Sequence, residues 1–135
     1  MMIFKTTNKV RMHDTDMAGI LYFPRIFRFV HDALEDLMKS EGFPFEKMLR
    51  GSDFVFVIVH SEADYYSSLV VGDEIQVHAR VEHSGVTSFT IVYEIYKLDH
   101  THMGRVRTVH VTVDNVSRKK IPVPDILKSI LEKYL

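Results

Sequence analysis

The chain has 135 residues and no cysteine, which removes disulfides, thiolate metal sites and a cysteine nucleophile together. It also lacks a charge excess: 17 Lys and Arg against 18 Asp and Glu leave a formal net charge of -1. There is thus no basic footprint for nucleic acid. No apolar run approaches the roughly 20 residues of a membrane span. Met1 to Lys9 has none of the apolar core of a secretory signal. Internal repeats, linkers and low-complexity segments are missing as well. The hydrophobic fraction of 46% and the charged fraction of 26% are ordinary for a globular protein. A single cytoplasmic domain over residues 1–135 is expected, long enough to bury a core without staples.

The patterning gives an order of elements. Ile3 to Met12 reads as a strand with Phe4, Val10 and Met12 on one face, interrupted by Thr6 and Asn8. A helix follows from about Pro24 to Ser40. Ile26, Phe27, Phe29, Val30, Ala33, Leu34, Leu37 and Met38 share one side of its wheel, while Arg25, Arg28, Asp32, Glu35, Asp36 and Lys39 share the other. Gly42 stops it, and a short helical turn follows Pro44. Phe54 to Val59 is continuously apolar, as for a strand buried on both faces. Glu74 to His83 alternates as a half-exposed strand. Val86 to Leu98 alternates with Phe89, Ile91, Tyr93 and Ile95 on one face. After a turn from Asp99 to Gly104, Arg105 to Asn115 reads with Val109, Val111 and Val113 inward and Thr108, His110 and Thr112 outward. Asp125 caps a last helix in which Ile126, Leu127, Ile130 and Leu131 share a face. One long amphipathic helix against a five-stranded antiparallel sheet makes an α+β domain of two layers, with a C-terminal helix added.

Between the first strand and the long helix lies His13-Asp14-Thr15-Asp16-Met17-Ala18-Gly19-Ile20-Leu21-Tyr22-Phe23-Pro24. Taken on spacing alone, it is a strand-to-helix loop capped by an acid. Two acids ahead of a helix N-terminus, with free N–H groups nearby, also suit acyl transfer. Pro24 fits the first helical position because its missing N–H would be unpaired there.

The run Asp14-Thr15-Asp16-Met17-Ala18-Gly19-Ile20-Leu21-Tyr22-Phe23-Pro24 resembles the signature of the hotdog-fold acyl-CoA thioesterases of the 4-hydroxybenzoyl-CoA thioesterase family, in the same register. The resemblance extends over nearly the whole chain, including the element order and the Val86-Thr87-Ser88-Phe89 strand start. It implies a hotdog fold, a long central helix wrapped by the sheet, and hydrolysis of an acyl-CoA to free acid and CoA without a cofactor. It makes Asp16 the catalytic carboxylate, either nucleophile or general base. The thioester carbonyl is then polarised by the backbone N–H of Phe23 or its neighbour Tyr22, while Asp14 holds the loop. Gly19 and Ser88 enter as substrate-contacting positions, and a dimer of protomers, assembled further into a tetramer, is expected to house the site.

There are departures from the family. Phe23 replaces a frequent Tyr or His, and Arg25 replaces a frequent Asn. Gly85-Val86-Thr87 stands where some aromatic-acyl relatives carry a basic triplet, which leaves Arg118-Lys119-Lys120 as the cluster for the CoA phosphates, or as a solvated turn. Arg25 keeps open a non-hydrolytic protein that binds acyl-CoA or an acyl-carrier protein; a short-chain acyl-CoA thioesterase is a further alternative. Within the family, His31-Asp32-Ala33-Leu34-Glu35 and Val59-His60-Ser61-Glu62-Ala63-Asp64 resemble runs in thioesterases acting on 1,4-dihydroxy-2-naphthoyl-CoA. His31 and Glu35 lie four residues apart at the edge of the apolar face; His31 is expected to hydrogen-bond a ring hydroxyl or support Asp16, or simply to pair, half-buried, with Glu35. His100, His102 and His110 invite a metal, but two of them lie in a turn without a supporting carboxylate or Cys, and none is assigned.

Overall fold

The computed structural model describes residues 2–135. Strand β1 (Phe4–Lys9) leads through a single 3-10 turn at Met12–Asp14 into the loop, and a second 3-10 turn at Phe23–Arg25 opens helix α1 (Ile26–Ser40). Helix α2 (Phe45–Gly51), strands β2 (Phe54–Tyr65), β3 (Glu74–Ser84), β4 (Ser88–Lys97) and β5 (His102–Asp114), and helix α3 (Asp125–Lys133) follow. The strands form one antiparallel sheet in the order β1-β3-β4-β5-β2. The chain after α1 therefore starts at one edge with β2, crosses to β3 and returns strand by strand. This is the arrangement expected of a hotdog fold.

The apolar side of α1 buries Ile26, Phe29, Val30, Ala33, Leu34, Leu37 and Met38 against the sheet. From the sheet come Ile75, Val77, Ala79 and Val81 of β3 and Phe89, Ile91, Tyr93 and Ile95 of β4. Thr6 and Asn8, which break the apolar face of β1, are matched to acids on the helix. The Thr6 hydroxyl donates to Asp36 at 2.8 Å and the Asn8 amide to Asp32 at 2.9 Å. Helix α3 closes the far end with Leu127, Ile130 and Leu131.

Five expectations are corrected. Strand β1 ends at Lys9, and Met12 is 80% exposed in the 3-10 turn. The apolar run of β2 is an edge strand, with Val57, Ile58 and Val59 each roughly half exposed, because β2 has a neighbour on one side only. On β5 the inward strip is Val106, Thr108 and His110, paired across from Tyr93, Ile91 and Phe89. The strand is thus one residue out of the expected phase over Val106 to His110, while Val111 and Val113, expected inward, are buried. Polar residues are tolerated there because they bond locally: Thr108 to His110, and Thr112 to the Ile121 carbonyl. The same strand starts at His102, inside the expected turn. In α3, Pro124 takes the cap position, with Asp125 in the first turn, and Ile126 points outward. No helix among the described residues is long and apolar enough to cross a membrane.

Candidate active site

The two acids of the loop have opposite surroundings. Asp14 is fully buried. Its carboxylate accepts hydrogen bonds from the Arg28 Nε and Nη2 at 2.8 and 2.6 Å, the Arg25 Nε at 3.1 Å and the Arg11 backbone N–H at 2.8 Å. Burial alone would raise its pKa, but the Arg28 fork, the Arg11 N–H and Arg25 outweigh it and hold the carboxyl well below the usual range. A permanently ionised, fully bonded carboxylate is a clamp between the loop and the start of α1. Arg25 is accounted for by the same clamp, which removes it as a sign of a binding-only protein.

Asp16 is exposed. Its Oδ1 accepts the Ala18 N–H at 2.9 Å, and its backbone closes a tight turn through Asp16 N–H to the Ile20 carbonyl and Gly19 N–H to the Asp16 carbonyl, both 3.0 Å. Gly19 has φ +77°, a conformation that L side chains rarely adopt, while the space where a Cβ would stand is open. Conformation therefore requires this glycine in the isolated chain. The carboxylate of Asp16 is oriented through one oxygen and leaves the other free.

At the head of the helix the two candidate donors separate. The Tyr22 N–H already donates to the Asp14 carbonyl at 2.8 Å, so it is withdrawn from the oxyanion role. Phe23 opens the 3-10 turn, its N–H donates to no backbone carbonyl among the described residues, and the residue is 64% exposed. First-turn N–H groups have no partner within their own helix and point outward. The Phe23 carbonyl takes the Tyr65 hydroxyl, which ties the end of β2 to this corner.

A cavity of about 360 Å³ opens on the flank of α1, lined by Phe27, Val30, His31 and Leu34 of the helix, Ile58 of β2, and Tyr93, Thr108 and His110 of the sheet. That volume falls within the roughly 300–1,000 Å³ of small-molecule sites. His31 is exposed at its rim, 5.8 Å from the Phe45 ring, and makes no ion pair with Glu35 among the described residues. Glu35 is exposed on the next turn and does not line the cavity.

Arg118, Lys119 and Lys120 are exposed in the turn beyond β5. They lie beside the start of β2, since Asp114 pairs with Phe54, whereas Phe23 is tied to Tyr65 at the other end, where Tyr65 pairs with Gly104. Phe54 and Tyr65 stand at opposite ends of the 12-residue strand, roughly 35 Å apart along it at about 3.4 Å per residue. Ser88 pairs with Val111 and lies toward the same remote end. One chain alone does not bring the basic cluster or Ser88 to its own Asp16. Sequence reasoning missed Arg28 and Tyr65, neither of which carries a local signal. It also placed His110 outside the core, although a polar residue in a strand's inward phase would have been the clue.

The thioesterase-like superfamily model matches residues 10–131. The chain is 30% identical over 131 residues to a 1,4-dihydroxy-2-naphthoyl-CoA hydrolase of Nostoc punctiforme, covering 97% of this chain and 88% of that one. Among solved structures it is similar to a 1,4-dihydroxy-2-naphthoyl-CoA thioesterase of Synechocystis, at 27% identity and a TM-score of 0.88, covering 96% of this chain and 95% of that one. A DHNA-CoA thioesterase of Staphylococcus aureus shares the fold, at 18% identity and a TM-score of 0.89, covering 98% and 91% of the two chains.

Proposed function

The chain belongs to the thioesterase-like superfamily, and from that premise we propose that it hydrolyses an aromatic acyl-CoA, of the 1,4-dihydroxy-2-naphthoyl class, to free acid and CoA. The observation that carries the mechanism is the pairing of an exposed, half-bonded Asp16 carboxylate with a free Phe23 N–H on one loop. The Phe23 N–H and the positive end of α1 receive the negative charge that develops on the carbonyl oxygen. The free oxygen of Asp16 either takes the proton of the attacking water or attacks the carbonyl carbon, giving an anhydride that water then opens. In both routes the carbon–sulfur bond breaks, and CoA leaves as a thiolate that is protonated on release.

The working unit in this proposal contains a second copy of the chain. The half-exposed Val57-Ile58-Val59 segment on an open sheet edge is an association surface unless covered. A two-fold contact of β2 with a second β2, running antiparallel, sets the start of one strand beside the end of the other. Arg118, Lys119 and Lys120 of the second copy then stand at the corner that holds Asp16 and Phe23, where they meet the nucleotide phosphates of CoA. Further pairing of dimers gives the tetramer.

Asp16→Asn tests the chemistry. Thiol release from a naphthoyl thioester is expected to fall at least a thousandfold with the melting temperature unchanged, and unaltered turnover removes Asp16 from its role. Light scattering tests the assembly: a mass of two or four times the 15.7 kDa chain is expected, and a monomer contradicts it.

A further inference from the structure

His110 lines the cavity beside α1, and one nitrogen of its ring is buried without a hydrogen-bond partner among the described residues. His110 is 1% exposed, its Nε2 lies 2.8 Å from the Thr108 hydroxyl, and its Nδ1 has no partner. Tyr93 and Thr108 line the same cavity, and the Thr108 hydroxyl is engaged by His110 Nε2. Buried polar atoms without partners are rare and costly, and this position could be filled by an apolar ring instead. The imidazole is held in a fixed orientation, stacked on Phe89 at 4.8 Å and 7° and edge-on to Phe56 at 5.5 Å and 88°. The direction of its free nitrogen is therefore set before any ligand arrives.

We infer that His110 Nδ1 recognises a ring hydroxyl of the acyl group, so that the cavity selects hydroxylated over plain aromatic thioesters. The inference rests on the aromatic acyl-CoA reading above. In a 1,4-dihydroxy-2-naphthoyl group, the hydroxyl next to the thioester closes an internal hydrogen bond to the carbonyl oxygen. The second hydroxyl, across the ring, has no internal partner and loses water on entering an apolar site. His110 supplies what it needs: a phenol O–H donates to Nδ1 while Nε2–H donates to Thr108. Burial, assisted by the nearby His31, keeps the imidazole neutral at physiological pH and so able to accept.

The test compares 1,4-dihydroxy-2-naphthoyl-CoA with 1-hydroxy-2-naphthoyl-CoA, which lacks the distal hydroxyl, on the native protein and on His110→Phe. The native protein is expected to favour the dihydroxy ester in kcat/KM by roughly ten- to a hundredfold, the range for a buried group left unpaired. In His110→Phe the ratio is expected to fall to about one, with cleavage of the monohydroxy ester retained. A variant that keeps the native preference overturns the assignment of His110. The native protein also gives a second measurement, the 15N resonances of the His110 ring titrated with the two free naphthoic acids. The dihydroxy acid is expected to shift Nδ1 and the monohydroxy acid to leave it in place; no shift, or equal shifts, overturns the inference even if His110→Phe does not fold. Should the native protein cleave neither ester, the proposed function fails, and the resonance titration still decides the role of His110.

Discussion

Arg28 grips Asp14 with two parallel hydrogen bonds, Nε to Oδ1 at 2.8 Å and Nη2 to Oδ2 at 2.6 Å, across the junction of loop and helix. The carboxylate is fully buried and the guanidinium about three-quarters so. Stranding a buried charge costs about 3–5 kcal/mol, and because Arg25 and the Arg11 N–H would still hold Asp14, about 3 kcal/mol is the figure for losing Arg28. Arg28→Met is expected to lower the free energy of unfolding by about that amount in a urea titration. Catalytic constants measured on the fraction still folded should change far less than those of Asp16→Asn.

Acid should destabilise the protein in two stages, the first traceable to His110 and the second to Asp14 together with other hydrogen-bonded carboxylates such as Glu41 and Glu82. His110 has its pKa lowered from 6.5 to about 4, so between those values the unfolded chain binds a proton that the folded one refuses. Its contribution is complete above pH 6.5 and is lost as pH falls toward 4, about 3 kcal/mol in all. Asp14, with a pKa below its ordinary 3.8, contributes above that value and loses its contribution as pH drops further. Urea midpoints measured from pH 8 to pH 3 should show the first decline, and His110→Phe should flatten it while leaving the second.

Asp16→Asn should leave stability within about 0.5 kcal/mol of native, because the residue is exposed and the amide oxygen still accepts the Ala18 N–H. Thermal melts beside the activity assay separate this outcome from unfolding. A large drop in melting temperature would show that the turn depends on the carboxylate charge.

Phe23 offers a test of backbone catalysis. Phe23→Ala retains the N–H and should keep kcat within a fewfold of native. Phe23→Pro removes the donor at a position that opens a helix, where proline is tolerated. Losing one oxyanion donor should lower kcat by roughly a hundred- to a thousandfold, with melting temperature as the control. Equal effects from both substitutions would assign the role to the ring.

Much of this was readable in the chain before any coordinates. The wheel of α1, from Ile26 to Met38, has its buried face where the 3.6-residue period places it, because one broad apolar side leaves a single way to dock. The inner face of β4 follows from strict alternation. The phase of β5 did not, since valines and hydroxyl residues alternate there and either set can face inward. Hydrogen bonds made after folding, between Thr108 and His110 and from Thr112 to the Ile121 carbonyl, satisfy the set that faces inward. The division of labour between Asp14 and Asp16 was legible as a motif, but the reason for it was not: it depends on Arg25 and Arg28, which lie just beyond the motif and show their contact with Asp14 only once the chain is folded. The place of β2 at the sheet edge depends on a crossover that composition does not record.

The inward strip of β5 has an evolutionary consequence. The loop around Asp16 and the floor formed by Thr108 and His110 belong to distant parts of the chain. A substitution at position 108 or 110 alters which ring the cavity accepts without disturbing the turn that holds the carboxylate. A lineage built on this scaffold can therefore move from one aromatic acid to another by one or two changes in a single strand, inheriting its cleaving machinery intact.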